Sequence, residues 1–235
     1  MTTAPPDRDG SAAVVTLDRR EGPFGEVVLR RRGGHYEIIA NGCFLMDTAD
    51  GRSERLLVRA ALDELDRTGP VERPSVLIGG LGVGFSLAHA AAEPRWGRIA
   101  VVEREGAVID WHREGPLAAF SAGALDDPRV EVLHTDLLEH LASPDVPRHH
   151  ALCLDIDNGP DWTVTDGNAG LYGPQGLAAL WDRLEPGGVL AVWSAQPSAA
   201  FEEALRAAGF TDVTGREVVV ARGVPDVVHL ARRAR

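Results

Sequence analysis

The stretch Val76-Leu77-Ile78-Gly79-Gly80-Leu81-Gly82-Val83-Gly84 places an apolar run directly before a glycine-rich turn. A helix-length segment, Phe85–Ala92, follows the turn at once. Glycines at such a junction let the backbone approach a ligand closely and let the helix begin without a Cβ clash. The stretch therefore predicts a nucleotide-type ligand at Gly80, Gly82 and Gly84, with a tight turn that holds no ligand as the alternative.

The chain beyond this stretch alternates short apolar runs with helix-length segments. Short apolar runs of this kind are typical of buried parallel strands. The predicted parallel strands are Val76–Ile78, Ile99–Val102, Val130–Leu133, Leu152–Leu154 and Val189–Trp193. The helices predicted after them are Phe85–Ala92, Gly106–Glu114, Leu137–Leu141, Gly176–Leu184 and Ala199–Ala208. Two further runs, Glu217–Ala221 and Val227–Leu230, predict an antiparallel closing pair. This alternation predicts an α/β fold with a Rossmann-like, doubly wound, mostly parallel sheet.

Three segments are predicted along the chain. Residues 1–11 are polar, contain two prolines and predict a flexible tail. Residues 12–70 predict a small antiparallel β unit, with Asn41-Gly42 as its clearest hairpin signal, plus a connecting helix whose N-cap is Ser53. Residues 71–235 are the predicted nucleoside-binding domain.

Charge and composition exclude several classes of function. The 235 residues carry 24 basic and 35 acidic side chains, a net charge of −11, and every basic residue is Arg. The missing lysine amine excludes a pyridoxal phosphate Schiff base and a Walker-type phosphate loop. The acidity argues against a nucleic-acid partner, because phosphate neutralisation needs a basic surface, and it fits a cationic small molecule.

The cysteines and the apolar runs indicate a compartment. Cys43 and Cys153 each lie in an apolar run, which predicts reduced, buried thiols. The first ten residues lack the basic start and apolar run of a signal peptide. No uninterrupted apolar stretch approaches the ~18 residues of a membrane span. These features predict a cytoplasmic protein without a membrane partner. No histidine pair shows metal-ligand helix spacing with a carboxylate, so no metal site is predicted.

Acidic residues follow three of the predicted strands. Glu103 follows the second strand, where a carboxylate accepts hydrogen bonds from both ribose hydroxyls. Asp136 follows the third and is interpreted either as the N-cap of the next helix or as a carboxylate beside an adenine amino group. Asp155, Asp157 and Asp161 follow the fourth, where an α/β sheet places its reactive groups. An acidic surface loop is the alternative for this last group.

Together these signals resemble the class I S-adenosyl-methionine methyltransferase fold and, within it, the spermidine-synthase-like (polyamine aminopropyltransferase-like) proteins, over roughly residues 36 to 210. Gly80-x-Gly82-x-Gly84 is similar to the glycine loop of that fold. The resemblance assigns Glu103 to the ribose, Asp136 to the adenine and Asp155 to the first aspartate of the aminopropyltransferase Asp-x-x-Asp loop. It implies S-adenosyl-methionine or its decarboxylated form as co-substrate, a small-molecule acceptor and a homodimer.

Three positions depart from the spermidine synthase pattern. Val83 stands where those enzymes carry an aspartate in the glycine loop, and Asn158 stands for the second loop aspartate. Arg52-Ser53 replaces an aromatic-polar pair before the glutamate of the first helix. Because the missing carboxylates are those that hold cationic amines, the departures predict a weakly bound or unusual amine rather than putrescine.

Asp155 is the candidate catalytic residue. A carboxylate at this position attracts a cationic amine and accepts the proton that an attacking amine sheds. Asp157 is expected to raise the pKa of Asp155 through like-charge repulsion. The candidate acceptor-binding residues are Asp157, Asn158, Trp162 and Tyr172, with core packing the alternative for the aromatic side chains.

The predicted function is transfer of an aminopropyl-type or methyl group from a sulfonium to a small amine acceptor. The sulfonium activates its own carbons, so the protein supplies alignment and desolvation. A non-catalytic nucleoside-binding or scaffold protein is the alternative from a different class. A nicotinamide-dependent dehydrogenase is disfavoured, because Phe85 stands where the Gly-x-Gly-x-x-Gly pattern requires its third glycine.

Overall fold

The computed structural model describes residues 13–163, 166–220 and 224–235, and the predicted N-terminal tail lies outside these ranges. The first strands pair in chain order to form an antiparallel four-stranded sheet. They are β1 (Val14–Gly22), β2 (Gly25–Arg32), β3 (His35–Ala40) and β4 (Cys43–Asp47). This sheet is the small antiparallel β unit that the sequence predicts.

The hairpin predicted at Asn41-Gly42 is confirmed. Ala40 pairs with Cys43, and the two turn residues have φ of 50° and 79°, the left-handed conformation that a type I′ hairpin turn requires. The Asn41 side chain adds a bond, because its Oδ1 accepts from the backbone N–H of Glu26 at 2.9 Å. Cys43 is exposed, so the prediction of a buried thiol there is wrong. The reason is that β4 lies at the edge of the sheet, whereas Cys153 is buried as predicted.

Backbone contacts divide the chain into one unit that ends at Asp50 and a second, Gly51–Arg235. The first helix, α1 (Arg52–Asp66), belongs to the second unit, whereas the sequence interpretation grouped it with the β unit in residues 12–70. The helix is amphipathic and buries Leu57, Ala61 and Leu65 against the large sheet. Its N-cap is Gly51, so the prediction that Ser53 caps the helix is wrong, and Ser53 lies inside the first turn.

The second unit is built on a seven-stranded sheet. Its strands are β5 (Ser75–Gly79), β6 (Arg98–Glu103), β7 (Val130–His134), β8 (His149–Leu154), β9 (Leu184–Ser194), β10 (Thr211–Val218) and β11 (Asp226–Arg232). They lie in the order β10-β11-β9-β8-β5-β6-β7. Strands β5 to β9 are parallel, and β11 runs antiparallel to both β9 and β10. The doubly wound, mostly parallel α/β fold is thereby confirmed.

Two strand boundaries differ from the predicted runs. The strand predicted over Glu217–Ala221 begins earlier, at Thr211, and ends earlier, at Val218, while Ala221 lies outside the described residues. The strand predicted to begin at Val189 begins at Leu184, which was assigned to the preceding helix. Both differences arise because strand pairing extends past the apolar core of each run into polar residues.

Chain order reverses between β5 and β8. From β5 the chain proceeds outward through β6 to β7, then crosses back to β8 on the other side of β5. Ligands of doubly wound sheets bind in the crevice outside the carboxyl ends of the strands at such a reversal. The glycine stretch leaves β5 and Asp155 leaves β8 at this edge, so the topology brings these two predicted elements together.

Helices cover both faces of the large sheet. After α1 they are α2 (Phe85–Ala92), α3 (Gly106–Arg113), α4 (Ala118–Ser121), α5 (Leu137–Ala142), α6 (Ala169–Tyr172), α7 (Pro174–Asp182) and α8 (Ala199–Ala207). Leu152 and Leu154 on β8 pack in one apolar core with α5, α7 and α8. Cys153 between them lies on the α1 side, with Sγ 4.0 Å from the Leu57 carbonyl oxygen. Within the described ranges, no helix is long and apolar enough to cross a bilayer.

The central strand provides a test of the packing. Leu152 is fully buried, so Leu152→Ala should lower the free energy of unfolding by about 2–5 kcal/mol through lost apolar contact and the cavity it leaves. Urea unfolding followed by circular dichroism measures this loss. Val219→Ala, at a position 74% exposed, is the control and should change stability by less than about 0.5 kcal/mol. Equal effects of the two substitutions would contradict the assignment of the core.

Candidate active site

The glycine loop, residues 79–84, turns sharply at the end of β5. Gly80 and Gly84 have φ of 92° and 96°, which side chains rarely adopt. A Cβ on Gly80 would collide with the backbone carbonyl oxygen of Asp155, and one on Gly84 would lie 2.6 Å from Cε1 of His112. Backbone geometry alone therefore requires glycine at both positions.

His112 on α3 is a residue that the sequence interpretation did not single out. It is buried, and its Nε2 lies 2.9 Å from the carbonyl oxygen of Gly82, to which the ring N–H donates. Burial lowers the pKa of His112, which keeps the ring neutral at physiological pH. The side chain thus fixes the middle peptide of the glycine loop. No local motif marks this contact, because it joins residues 30 positions apart.

Glu103, the predicted ribose ligand, ends β6 and is buried beside the glycine loop. Its Oε2 accepts from the backbone N–H of Leu81 at 2.9 Å, and its Oε1 accepts from that of Glu105 at 2.8 Å. The carboxylate therefore holds the loop against β6. Each carboxylate oxygen has two acceptor positions, so these bonds leave acceptor capacity for a ligand.

Asp136, the predicted adenine-side residue, is the N-cap of α5. Its Oδ1 accepts from the backbone N–H groups of Leu138 at 2.8 Å and Glu139 at 3.3 Å. This is the structural role that the sequence analysis gave as one interpretation of Asp136. The side chain is half-buried at the same sheet edge as Glu103, and its role toward adenine stays a prediction.

Asp155 follows β8 and lies next to the glycine loop. Its backbone N–H donates to the Gly79 carbonyl oxygen at 2.9 Å. Burial, followed by the charge of Asp226, raises the pKa of the Asp155 carboxyl. The expectation that Asp157 causes this shift is therefore wrong, and the partner comes from β11 instead. A raised pKa suits a residue that takes up a proton near neutral pH.

Glu54, in the first turn of α1, belongs to the same group of carboxylates. Burial raises its pKa, and the charges of Asp155 and Asp226 raise it further. Glu54, Asp155 and Asp226 are here called the acid triad. Within the described residues, no three or more His, Cys, Asp or Glu side chains are grouped so as to hold a metal ion. Sequence reasoning did not assign Glu54 and Asp226 to the site, because each lies far along the chain from Asp155.

The four candidate acceptor-binding residues differ in exposure and in hydrogen bonding. Asp157 is buried, and its Oδ2 accepts from Asn168 Nδ2 at 2.7 Å. The carbonyl oxygen of Asn158 accepts from the N–H of Ala195 at 3.0 Å. Trp162 is 61% exposed, whereas Tyr172 is buried. The contacts of Asp157 and Asn158 fix the start of the loop after β8, and the acceptor-binding roles of these residues stay predictions.

Tyr172 lies between the apolar core and the carboxylates. Its ring packs edge-on against Phe201, with centroids 5.6 Å apart. Burial and the nearby charges of Asp157 and Asp155 raise the pKa of its hydroxyl above the ordinary value. The ring of Tyr172 therefore packs in the core, as the core-packing alternative predicts. Its hydroxyl lies close enough to Asp157 and Asp155 for their charges to affect it.

The fold and the glycine loop together define a Rossmann-like domain of the class I methyltransferase type. Among solved structures, spermidine synthase from Thermotoga maritima matches 93% of this chain and 73% of its own, with a TM-score of 0.72 and 16% identity. A spermidine synthase in complex with the transition-state analogue AdoDATO matches 93% of this chain and 72% of its own, with a TM-score of 0.71 and 17% identity. At these identities the likeness shows the shared fold.

Comparison of sequences points in the same direction. The chain is 30% identical over 181 residues to polyamine aminopropyltransferases of Mycobacterium tuberculosis and Mycobacterium bovis. The match covers 76% of this chain and 32% of those proteins, so the chain spans about a third of the length of the curated relatives it matches. No protein-family model matches the chain. The resemblance inferred from the glycine loop and the strand-end acids is confirmed: the chain is similar in fold to spermidine synthases and in sequence to polyamine aminopropyltransferases.

The raised pKa values of Glu54 and Asp155 predict a pH-dependent stability. Both groups hold protons more tightly in the folded protein than in the unfolded chain, so the stability falls as pH rises from the ordinary carboxyl range through the raised pKa. We expect unfolding free energy to decrease between about pH 5 and about pH 8, and Glu54→Gln to flatten that decrease. Urea unfolding at a series of pH values measures both slopes.

The control for this series is Glu139→Gln, the same change at an exposed position in the first turn of α5. It should keep the wild-type slope. A Glu54→Gln curve that runs parallel to the wild-type curve over the whole range would show that Glu54 is not desolvated in the folded protein.

Proposed function

We propose that this protein is a transferase that binds decarboxylated S-adenosyl-methionine, or S-adenosyl-methionine itself, and transfers an alkyl group to a small cationic amine. The observation that carries the proposal is the contact of Asp155 with the glycine loop at the reversal between β5 and β8. It brings a carboxylate with a raised pKa to the edge where this fold binds nucleosides.

The nucleoside half of the proposed site consists of the glycine loop, Glu103 and Asp136. The loop carries no side chain at Gly80, Gly82 and Gly84, and its backbone is partly exposed at Gly80 and Gly82, which suits close approach of a ligand. Glu103 would accept from the ribose hydroxyls, and Asp136 would lie beside the adenine. The bonds of Glu103 to the loop supply preorganisation, because they fix the carboxylate before any ligand binds.

The proposed reaction is a displacement at a carbon of the sulfonium. Asp155 first accepts one proton from the ammonium group of the bound acceptor, which frees the lone pair of its nitrogen. The lone pair forms a new N–C bond, the C–S bond breaks, the sulfur leaves as a neutral thioether, and the nitrogen of the product carries the positive charge. Attack on the aminopropyl carbon releases methylthioadenosine, whereas attack on the methyl carbon of S-adenosyl-methionine releases S-adenosyl-homocysteine. The similarity to polyamine aminopropyltransferases supports the first outcome.

A cationic amine is the acceptor that the charges favour. The acid triad brings together carboxylates from α1, the end of β8 and β11: the charge of Asp226 raises the pKa of Asp155, and the charges of Asp155 and Asp226 raise the pKa of Glu54. Burying carboxylates without a cation is costly, and a bound ammonium group would offset that cost. The carboxylates of the proposed acceptor half therefore come from several elements and not from an Asp-x-x-Asp loop alone. In this chain Asn158 stands in place of the second aspartate of that loop.

A non-catalytic nucleoside-binding protein is the second candidate. It is favoured by Val83, which is fully buried at the glycine-loop position where spermidine synthases carry an aspartate. Calorimetry with S-adenosyl-methionine, its decarboxylated form, methylthioadenosine and NAD identifies the ligand. Chromatographic detection of methylthioadenosine after incubation with the decarboxylated co-substrate and an amine then distinguishes a transferase from a binding protein.

The ribose role of Glu103 is tested by Glu103→Ala. Loss of a charge-assisted hydrogen bond should weaken methylthioadenosine binding by about 1.5–3 kcal/mol, measured by calorimetry on protein whose fold is verified by circular dichroism. Glu131→Ala is the control, because Glu131 forms an exposed ion pair with Arg98 on β6. If the folded Glu103→Ala variant binds methylthioadenosine as tightly as the wild type, the only role of Glu103 is to hold the glycine loop in place.

The base role of Asp155 is tested by Asp155→Asn, which keeps the shape of the side chain and removes its charge. We expect the turnover rate to fall by about 10²–10⁴-fold, the range for loss of a general base, while methylthioadenosine binding is retained. Asp145→Asn, at an exposed position, is the matched control. Full turnover by Asp155→Asn would move the search for the base to Glu54, whose pKa is also raised.

A further inference from the structure

The glycine loop depends on neighbouring elements for its shape. It passes through left-handed backbone at Gly80, Gly82 and Gly84, with φ of 92°, 50° and 96°. Glycine has more conformational freedom to lose on ordering than any other residue, so the loop is not held in one shape by its own residues. Contacts from outside the loop therefore supply its rigidity.

Two side chains hold adjacent residues at the centre of the loop. Glu103 accepts from the N–H of Leu81, and Nε2 of His112 donates to the carbonyl oxygen of Gly82, each at 2.9 Å. Glu103 ends β6, and His112 lies in α3, the helix that follows β6 in the chain. One strand–helix unit therefore holds the segment Leu81-Gly82 at both of its ends.

The ring of His112 is itself fixed by packing against the loop. The residue is 3% exposed. Gly84 leaves room for the ring, because a Cβ at that position would lie 2.6 Å from Cε1 of His112 and 3.1 Å from the backbone nitrogen of Ser121. The ring thus packs beside Gly84 and bonds to Gly82, so its donor is in position before any ligand binds.

The bond to Gly82 also determines the state of the ring. A carbonyl oxygen only accepts, so the proton of the neutral ring lies on Nε2. Burial lowers the pKa of His112, which keeps the ring neutral at physiological pH. His112 therefore holds the loop with a neutral donor and adds no positive charge beside a site proposed for a sulfonium.

We propose that His112 is a positioning residue of the nucleoside site, and that its bond to Gly82 holds the glycine loop in the conformation that binds the nucleoside. This inference rests on the proposed function, which takes the loop as part of that site. A loop that is already ordered loses less conformational entropy when the ligand binds. Without the bond, the ligand binds only the fraction of molecules whose loop has the competent conformation, and the apparent affinity falls by that fraction.

The test compares methylthioadenosine binding, measured by calorimetry, in variants that lose or keep the donor. His112→Phe and His112→Leu remove it in two different shapes, and each should weaken binding about 3- to 10-fold, the effect of one neutral hydrogen bond. His112→Gln can present its own Nε2 to the Gly82 carbonyl oxygen and should bind within about twofold of the wild type. This rescue separates the bond from the packing, because glutamine restores the donor without the ring.

His149→Phe is the matched control, the same substitution at another buried histidine. His149 is 1% exposed and begins β8, at the end of that strand away from the loop. This variant should keep wild-type affinity for methylthioadenosine whatever its stability, which urea unfolding measures for every variant. If the folded His112→Phe and His112→Leu variants bind as tightly as the wild type, or if His112→Gln binds as weakly as they do, the ring has only a packing role and the inference is wrong.

Nitrogen NMR of the wild type tests the bond without any substitution. The ring of His112 should carry its proton on Nε2 between about pH 7 and about pH 8, and it should keep this tautomer when methylthioadenosine binds. The signal that is missing from His112→Gln identifies the ring. A proton on Nδ1 instead would overturn the inference, because the ring would then have no donor for Gly82.

Binding and turnover fail separately. If methylthioadenosine binding depends on the His112 donor but no alkyl group is transferred to an amine, the inference stands and the proposed transfer is wrong. If the wild type transfers the alkyl group and the variants without the donor bind methylthioadenosine equally well, the proposed function stands and the inference about His112 is wrong. Absence of nucleoside binding to the wild type overturns both.

Discussion

The close approach of the β8 end to the glycine loop is the contact on which the rest of the site depends. The N–H of Asp155 donates to the Gly79 carbonyl oxygen at 2.9 Å, and the N–H of Gly80 donates to the Val102 carbonyl oxygen at the same distance. A side chain at Gly80 would collide with the Asp155 carbonyl oxygen. These bonds join the ends of β5, β6 and β8, so loop geometry and carboxylate position are fixed together.

The acid triad lowers the free energy of unfolding of the protein. Burial and the charge of Asp226 raise the pKa of both Glu54 and Asp155, which costs folding free energy at neutral pH, and apolar residues in their places would remove that cost. The surrounding core is large enough to tolerate the penalty, because the central strands are buried on both faces by helices. Destabilising groups gathered at one edge of an otherwise well-packed sheet are typical of functional sites, where residues are retained for chemistry rather than for folding.

Local signals predicted the sheet and the positions of the residues in the proposed nucleoside half of the site. The glycine loop, Glu103 and Asp136 each follow a strand within a few residues, so the spacing of apolar runs is sufficient to locate them. Asp226 and Ser53 are 173 residues apart in the chain and meet only because β11 runs antiparallel to its neighbour. The exposure of Cys43 escaped prediction for a related reason, since an apolar run does not tell an edge strand from a central one.

The topology also explains how one edge of the sheet holds two groups of side chains independently of each other. Glu103 and the glycine loop are bound to each other, so substitution of either disturbs both. Asp226, by contrast, is held by the side chains of Ser53 and Trp193 and has no described hydrogen bond to the loop. A substitution of Asp226 therefore leaves the described hydrogen bonds of the loop intact. The antiparallel last strand brings this carboxylate from the far end of the chain to the edge, because it alone of the seven strands begins where the parallel strands end.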